Sequence, residues 1–148
     1  MLMLPPPVWA LVYVLCAAAI SWRLGWPKMP GVPLSPLGIA LVTIPWILPV
    51  WAIIVFRRED TEINPTSLSN RKLITDGPFR FTRNPMYLGL VIVTLGIAAW
   101  VGAWPMFLAP IAIFATTNWG HIPYEEAKMR RQFGATYDGY VWRVRRWV

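Results

Sequence analysis

Charged side chains along this chain are confined to a few segments, and the stretches between them are apolar. Uncharged runs occupy residues 8–22, 34–56 and 86–119. A helix needs about 20 mostly apolar residues to cross a hydrocarbon core of roughly 30 Å, so the first two runs each predict one spanning helix. The third holds 34 residues (86 to 119) and as a single helix would extend about 51 Å. It is therefore predicted to fold back on itself. The corner falls at Gly102, Ala103, Trp104 and Pro105, where glycine relaxes the backbone and proline suits the first position of a new helix. The pattern predicts an all-α integral membrane helical bundle of about four transmembrane helices, two from residues 1–56 and a hairpin from 57–148.

Within the second run Pro45 and Pro49 lie four residues apart on one helical face. Each removes a backbone donor, which predicts a bend that opens a lateral gap unless neighbouring helices satisfy the freed carbonyls. Residues 57–85 are polar and carry the turn signals Asn64, Pro65, Asp76, Gly77 and Pro78, without a long periodic helix. Beyond the hairpin, Pro123 followed by Tyr124, Glu125 and Glu126 predicts a fresh helix start, with acids facing the positive end of the helix dipole. Gly134 is its predicted end. Residues 137–148 mix Tyr, Trp and Arg in the manner of an interfacial anchor, giving a C-terminal cytoplasmic or interfacial helical segment.

Charge orients the bundle. The chain has 148 residues and a net charge of +7 from 14 Lys and Arg. With four spans, all of these except Arg23 and Lys28 fall on one side. The positive-inside bias then places both termini in the cytoplasm, as expected of a multi-pass protein in a bacterial-type inner membrane. Anionic headgroups account for the charge, and nucleic acid is not an expected partner. One domain, residues 1–148, is predicted. Cys16 is the only cysteine, so no internal disulfide or cysteine metal cluster is available, and its apolar setting predicts a small buried hydrophobe. The first run lacks a preceding Lys or Arg and begins at Pro5, Pro6 and Pro7, which reads as a retained helix rather than a cleaved leader.

Soluble-enzyme chemistry has little to work with here. No Gly-rich phosphate loop or Cys/His metal spacing is present, and a single His leaves no Ser/His/Asp set. What remains is a polar constellation of Arg71, Lys72, Arg80, Arg83, Asn84 and Tyr87 from one segment, and His121, Glu125, Glu126, Tyr137, Tyr140 and Arg143 from another. Two antiparallel spans joined by a short corner return the chain to the face it left, so these groups are predicted to meet. Such a pocket suits a reaction between a water-soluble cofactor and a lipid-soluble substrate. The alternatives are plainer: arginines that snorkel to headgroups, Tyr87 as an interfacial aromatic, Pro85 as a helix start and Glu125 with Glu126 as dipole complement.

Residues 77–89 (GPFRFTRNPMYLG), followed by Glu125, Glu126, Phe133, Gly134, Tyr137, Tyr140, Arg143 and Val144, resemble the isoprenylcysteine carboxyl methyltransferase family and its phospholipid methyltransferase relatives. The resemblance covers roughly residues 60–148. It implies a small helical membrane bundle whose C-terminal half binds S-adenosylmethionine and passes a methyl group to a lipid-like acceptor. Carried over position by position, Arg71, Lys72, Leu73, Ile74, Asn84, Pro85, Met86 and Tyr87 line the cofactor pocket, and Glu125 holds the cofactor. The family usually has His where this chain has Asn84, which still donates and accepts hydrogen bonds but does not titrate. His121 falls where the prenylcysteine enzymes place an Arg that meets the substrate carboxylate. This departure leaves a phospholipid amine, a hydrophobic carboxylate and a small hydrophobic thiol open as acceptors.

Methyl transfer from a sulfonium is an in-line displacement, so the protein has mainly to align donor and acceptor and exclude water. No metal is required. His121, Glu126 and Arg83 are the expected catalytic residues; His121, Tyr137, Tyr140 and Arg143 are the expected acceptor contacts. An amine or thiol acceptor needs a base, and imidazole is the side chain that titrates near neutrality, whereas a carboxylate acceptor needs none. Membrane lipids and a hydrophobic substrate are the expected partners. Two rival readings stand beside this one: an NADPH-dependent membrane reductase of the sterol reductase type, and a non-catalytic membrane subunit.

Overall fold

The computed structural model describes residues 4–29, 35–58 and 72–148. Seven α-helices are found among them: α1 (Pro6–Arg23), α2 (Ser35–Thr43), α3 (Ile47–Arg58), α4 (Pro85–Val101), α5 (Leu108–Thr116), α6 (Ile122–Phe133) and α7 (Ala135–Arg143). No strand occurs among the described residues, only a lone bridge between Lys28 and Ala103. The expected all-α class is observed.

Successive contacts order the apolar helices into four antiparallel rods. Gly38 meets Trp100, Gly96 meets Leu41 and Val42, and Gly89 meets Pro45 and Pro49, so α2 and α3 run opposite to α4. Tyr13 and Thr116 share a 2.7 Å hydrogen bond, which sets α1 against α5. The predicted corner is where the hairpin turns. Gly102 ends α4 with φ +71°, a left-handed conformation that glycine adopts without strain, and a 3-10 turn at Trp104–Phe107 leads into α5. Lys28 caps this end of the bundle by donating to the Val101 carbonyl at 2.6 Å. Arg23 and Lys28 thus lie opposite the end where α3 finishes and α4 begins.

Pro45 acts as its chemistry demands. It sits in a short 3-10 turn, Ile44–Trp46, that separates α2 from α3 and bends the rod. Pro123 stands in the first turn of α6 with Glu125, as expected, but the rod does not break before it. Helical backbone continues from α5 into α6 through a π-helical segment, Thr117–His121, whose Ile122 amide reaches back to the Thr117 carbonyl. The wider π turn absorbs the proline, which would clash with the preceding carbonyl of a regular α-helix. Cys16 also departs from expectation, because it is exposed on the outer face of α1. Residues 59–71, and with them Arg71, lie outside the described residues.

Among the described residues, two helices are long and apolar enough to cross a membrane: Pro6–Arg23, and Pro36–Arg58 taken as one bent rod. Only 17% and 11% of their apolar windows are buried, whereas the core helix of a water-soluble protein would be mostly covered. Leu11, Leu15, Ile47 and Ile111 all stand more than half exposed. An uncharged apolar surface of this extent needs lipid around it, and the chain is membrane-associated.

The α2–α4 interface depends on missing side chains. A Cβ on Gly96 would lie 2.6 Å from the Leu41 carbonyl carbon and 2.7 Å from the Val42 nitrogen. Gly96→Leu is expected to cost about 1–3 kcal/mol and lower the melting temperature in detergent. Gly139→Ala, where a Cβ meets nothing within 4 Å, should leave it unchanged or slightly raised.

Candidate functional site

Three pieces of chain meet at the arginine-bearing end of the bundle: the loop entering α4, the rod where α5 passes into α6, and the segment after α7. The loop turns at Gly77, whose φ is +61° and where a Cβ would come within 2.8 Å of Val55. Its polar groups are then bonded by the tail. The Arg83 amide donates to the Arg145 carbonyl at 3.0 Å, and Thr82 Oγ1 and Asn84 Nδ2 both donate to the Arg146 carbonyl, at 3.1 and 2.9 Å. The Tyr140 hydroxyl adds a 2.7 Å bond to the Phe79 carbonyl.

At the centre is Glu126, 7% exposed. Its Oε1 accepts from Arg83 Nη2 at 2.9 Å and Arg146 Nε at 3.1 Å, and its Oε2 accepts from Arg146 Nη2 at 2.7 Å. A buried carboxylate is tolerable only with such charged partners, and this one has two. Both oxygens are committed to arginine. The neighbouring Glu125 is held differently, taking a 2.5 Å hydrogen bond from the Tyr87 hydroxyl. Burial pushes the Glu125 carboxyl up from 4.5 to about 6, with Glu126 adding to the rise, while Tyr87 and Lys128 pull it back. Burial likewise raises the Tyr137 and Tyr140 phenols.

Between these groups lies a cavity of about 330 Å³. Its polar lining comprises Lys72, Arg83, Asn84, Tyr87, Glu125, Glu126 and Lys128; its apolar walls include Leu73, Ile74, Phe79, Met86 and Met129. Pro6 and Pro7 of α1, with Trp46 and Pro49 at the proline bend, add to the lining. The Asn84 amide nitrogen is held by the Arg146 carbonyl, so its Oδ1 is the atom left to offer. Oδ1 and the Glu125 carboxylate can accept hydrogen bonds from a ligand, and Lys72 and Lys128 on the same lining bring positive charge, beside the apolar walls. The volume falls in the range of small-molecule sites.

Most residues singled out in the sequence reach this cavity. Lys72, Leu73, Ile74, Arg83, Asn84, Pro85, Met86, Tyr87, Glu125, Glu126, Tyr137 and Tyr140 all line it. His121 and Arg143 do not. His121 is buried against the start of α1, its two ring nitrogens each 3.5 Å from a carbonyl, of Thr116 and of Leu4, and its ring 6.3 Å from that of Tyr87. Arg143 is exposed on α7 and donates to the Gly139 carbonyl. Sequence reasoning passed over Arg146, which it grouped with the headgroup anchors, and Asn118, whose Oδ1 receives both Arg146 and the Trp147 indole. A separation of 20 residues between Glu126 and Arg146 has no local periodicity to betray it.

The model of the phospholipid methyltransferase family matches residues 34–136. Protein-S-isoprenylcysteine O-methyltransferase B of Arabidopsis thaliana is 32% identical over 118 residues, covering 75% of this chain and 57% of that protein. A probable protein-S-isoprenylcysteine O-methyltransferase of Oryza sativa subsp. indica is 31% identical over 117 residues, covering 74% and 58%. The chain thus spans a little over half the length of these curated relatives. An uncharacterized protein of Haemophilus influenzae is matched over its full length, 33% identical across 63 residues. No solved structure matches the chain.

The ion-pair cluster has measurable consequences for stability. Glu126→Ala strands the Arg83 guanidinium, whose side chain is 10% exposed, and is expected to cost about 3–5 kcal/mol in detergent unfolding. Glu125 should act in the opposite sense. Its folded-state value exceeds 4.5, so the folded protein binds more protons and stability falls as pH rises from about 4.5 through about 6. The effect is at most about 2 kcal/mol, and melting curves of Glu125→Gln should be flatter across that window.

Proposed function

The chain belongs to the phospholipid methyltransferase family, and from that premise we propose that it is an integral membrane methyltransferase that uses S-adenosylmethionine and acts on a lipid-like acceptor. What carries the reading is the contact of Tyr87 with Glu125 on the wall of the cavity. It joins the entry of α4 to the first turn of α6, the two segments that the sequence marked as one site. S-adenosylmethionine, when bound, supplies an electrophilic methyl group on a sulfonium. The residues fit that group: Glu125 and Asn84 Oδ1 suit its ammonium and hydroxyls, and Leu73, Ile74, Phe79 and Met86 offer apolar surface for a purine. Tyr87 holds the Glu125 carboxylate in place, and Glu126 holds Arg83 against the loop. Tyr137 and Tyr140 shield the cavity from water, which the displacement requires.

Four crossings with both termini on the cytoplasmic side accompany this proposal. The four-rod arrangement supports it, with Arg23 and Lys28 at one end and Arg57, Arg58, Arg80 and Arg83 at the other. The acceptor reaches the cavity from the bilayer. A hydrophobic carboxylate, as in the isoprenylcysteine relatives, and a phospholipid amine both suit the apolar walls. His121, set outside the lining, is proposed to hold α1 to the α5–α6 rod rather than to serve as base.

Binding of S-adenosylhomocysteine to the purified protein, measured by calorimetry, tests the cofactor assignment. Micromolar binding is expected, with no binding of NADPH; the reverse would identify a reductase, and neither a non-catalytic subunit. Glu125→Ala should weaken S-adenosylhomocysteine binding at least about tenfold while membrane insertion persists. In the parent, affinity should decline as pH falls through about 6, where Glu125 takes up a proton and loses its attraction for an ammonium group.

A further inference from the structure

Helix α7 has two faces with different tasks. Tyr137, Tyr140, Val141 and Val144 recur at i, i+3, i+4 and i+7 and pack inward with Phe79 and Ile74, two of them lining the cavity. The opposite face is left open. Trp142 is 89% exposed, the largest value among the exposed hydrophobic residues, and Arg143 and Arg145 are exposed beside it. The loop bonded to this helix adds Arg80 and Phe81, the latter 68% exposed. The only acid in residues 135–148 is Asp138, and it is paired with Arg130 at 3.2 Å. Aromatic side chains and unneutralised arginines together match the layer where lipid phosphates meet acyl chains.

The level of the helix agrees. Trp147 packs tilted against Phe114 of α5, ring centroids 4.9 Å apart, and bonds Asn118, and Phe114 in turn meets Trp119, which is 71% exposed. The tail therefore crosses the bundle where the apolar surface of the α5 rod gives way to polar residues. Its outer face continues that surface at the water boundary.

From these placements we infer that α7 docks its Trp142–Arg145 face on an anionic bilayer surface, and that this docking holds Tyr137 and Tyr140 over the cavity and strengthens ligand binding there. The link to ligand binding rests on the methyltransferase reading; the docking does not. Arg145 is central, since its carbonyl holds the Arg83 amide while its side chain is free to face headgroups. Seating the side chain on lipid restrains the same residue that restrains the loop.

The experiment uses the full chain in nanodiscs of phosphatidylcholine alone or mixed with phosphatidylglycerol. An environment-sensitive fluorophore is attached to Trp142→Cys in a Cys16→Ser background, and S-adenosylhomocysteine affinity is measured in parallel. With phosphatidylglycerol the probe should shift to the blue and resist an aqueous quencher, high salt should reverse both changes, and affinity should rise about fivefold or more. Arg80→Glu combined with Arg145→Glu should abolish the lipid dependence. Identical probe spectra in the two lipids would overturn the docking, and a probe shift with unchanged affinity would overturn its coupling to the cavity. Absence of S-adenosylhomocysteine binding in every disc would instead refute the methyltransferase reading, and the probe result would stand on its own.

Discussion

One buried carboxylate organises the functional end of this protein. Glu126 cannot be buried ionised without cations, and the two that reach it come from different directions: Arg83 from the entry of α4, Arg146 from the end of the chain. Satisfying one charge therefore draws three separate segments to a common point. With the arginines drawn in, their backbones follow, and the carbonyls of Arg145 and Arg146 become the acceptors that the loop before α4 lacks. The tail thereby supplies the loop with hydrogen bonds that water would otherwise provide.

The neighbouring carboxylate shows the value of this arrangement. Glu125 is one residue away on the same helix, yet it meets a phenol instead of a guanidinium and keeps capacity for a further donor. Adjacent residues of an α-helix point about 100° apart, so one can brace the scaffold while the other addresses the cavity. One carboxylate at the cavity stays open to a further donor even though the chain is strongly basic, because Glu125 meets a phenol while Arg83 and Arg146 are taken up by Glu126.

Small residues and prolines set how closely the rods approach. Gly38, Gly89 and Gly96 let α4 press backbone against backbone on the α2–α3 rod. Without a hydrophobic driving force between helices in lipid, such close contact is the main source of association. The bend at Pro45 and Pro49 then leaves Trp46 and Pro49 in the cavity lining.

Hydropathy alone located the apolar helices, the corner at Gly102 and the end of α6 at Gly134, because each is dictated by local preference: where charge is absent, where a left-handed backbone is needed. The motif from Arg83 to Tyr87 and the pair Glu125 and Glu126 were legible for a related reason, as polar groups that a membrane-facing chain would not keep idly. Three features were not. His121 turned toward α1, a π segment joined α5 without a break to the helix that Pro123 begins, and Arg146 came inward to Glu126 while Arg143, which looked equally placed, stayed outside. These outcomes turn on which of several similar side chains finds a buried partner of opposite charge or a spare carbonyl, and such partners are supplied by segments distant in the chain, which no local pattern can register.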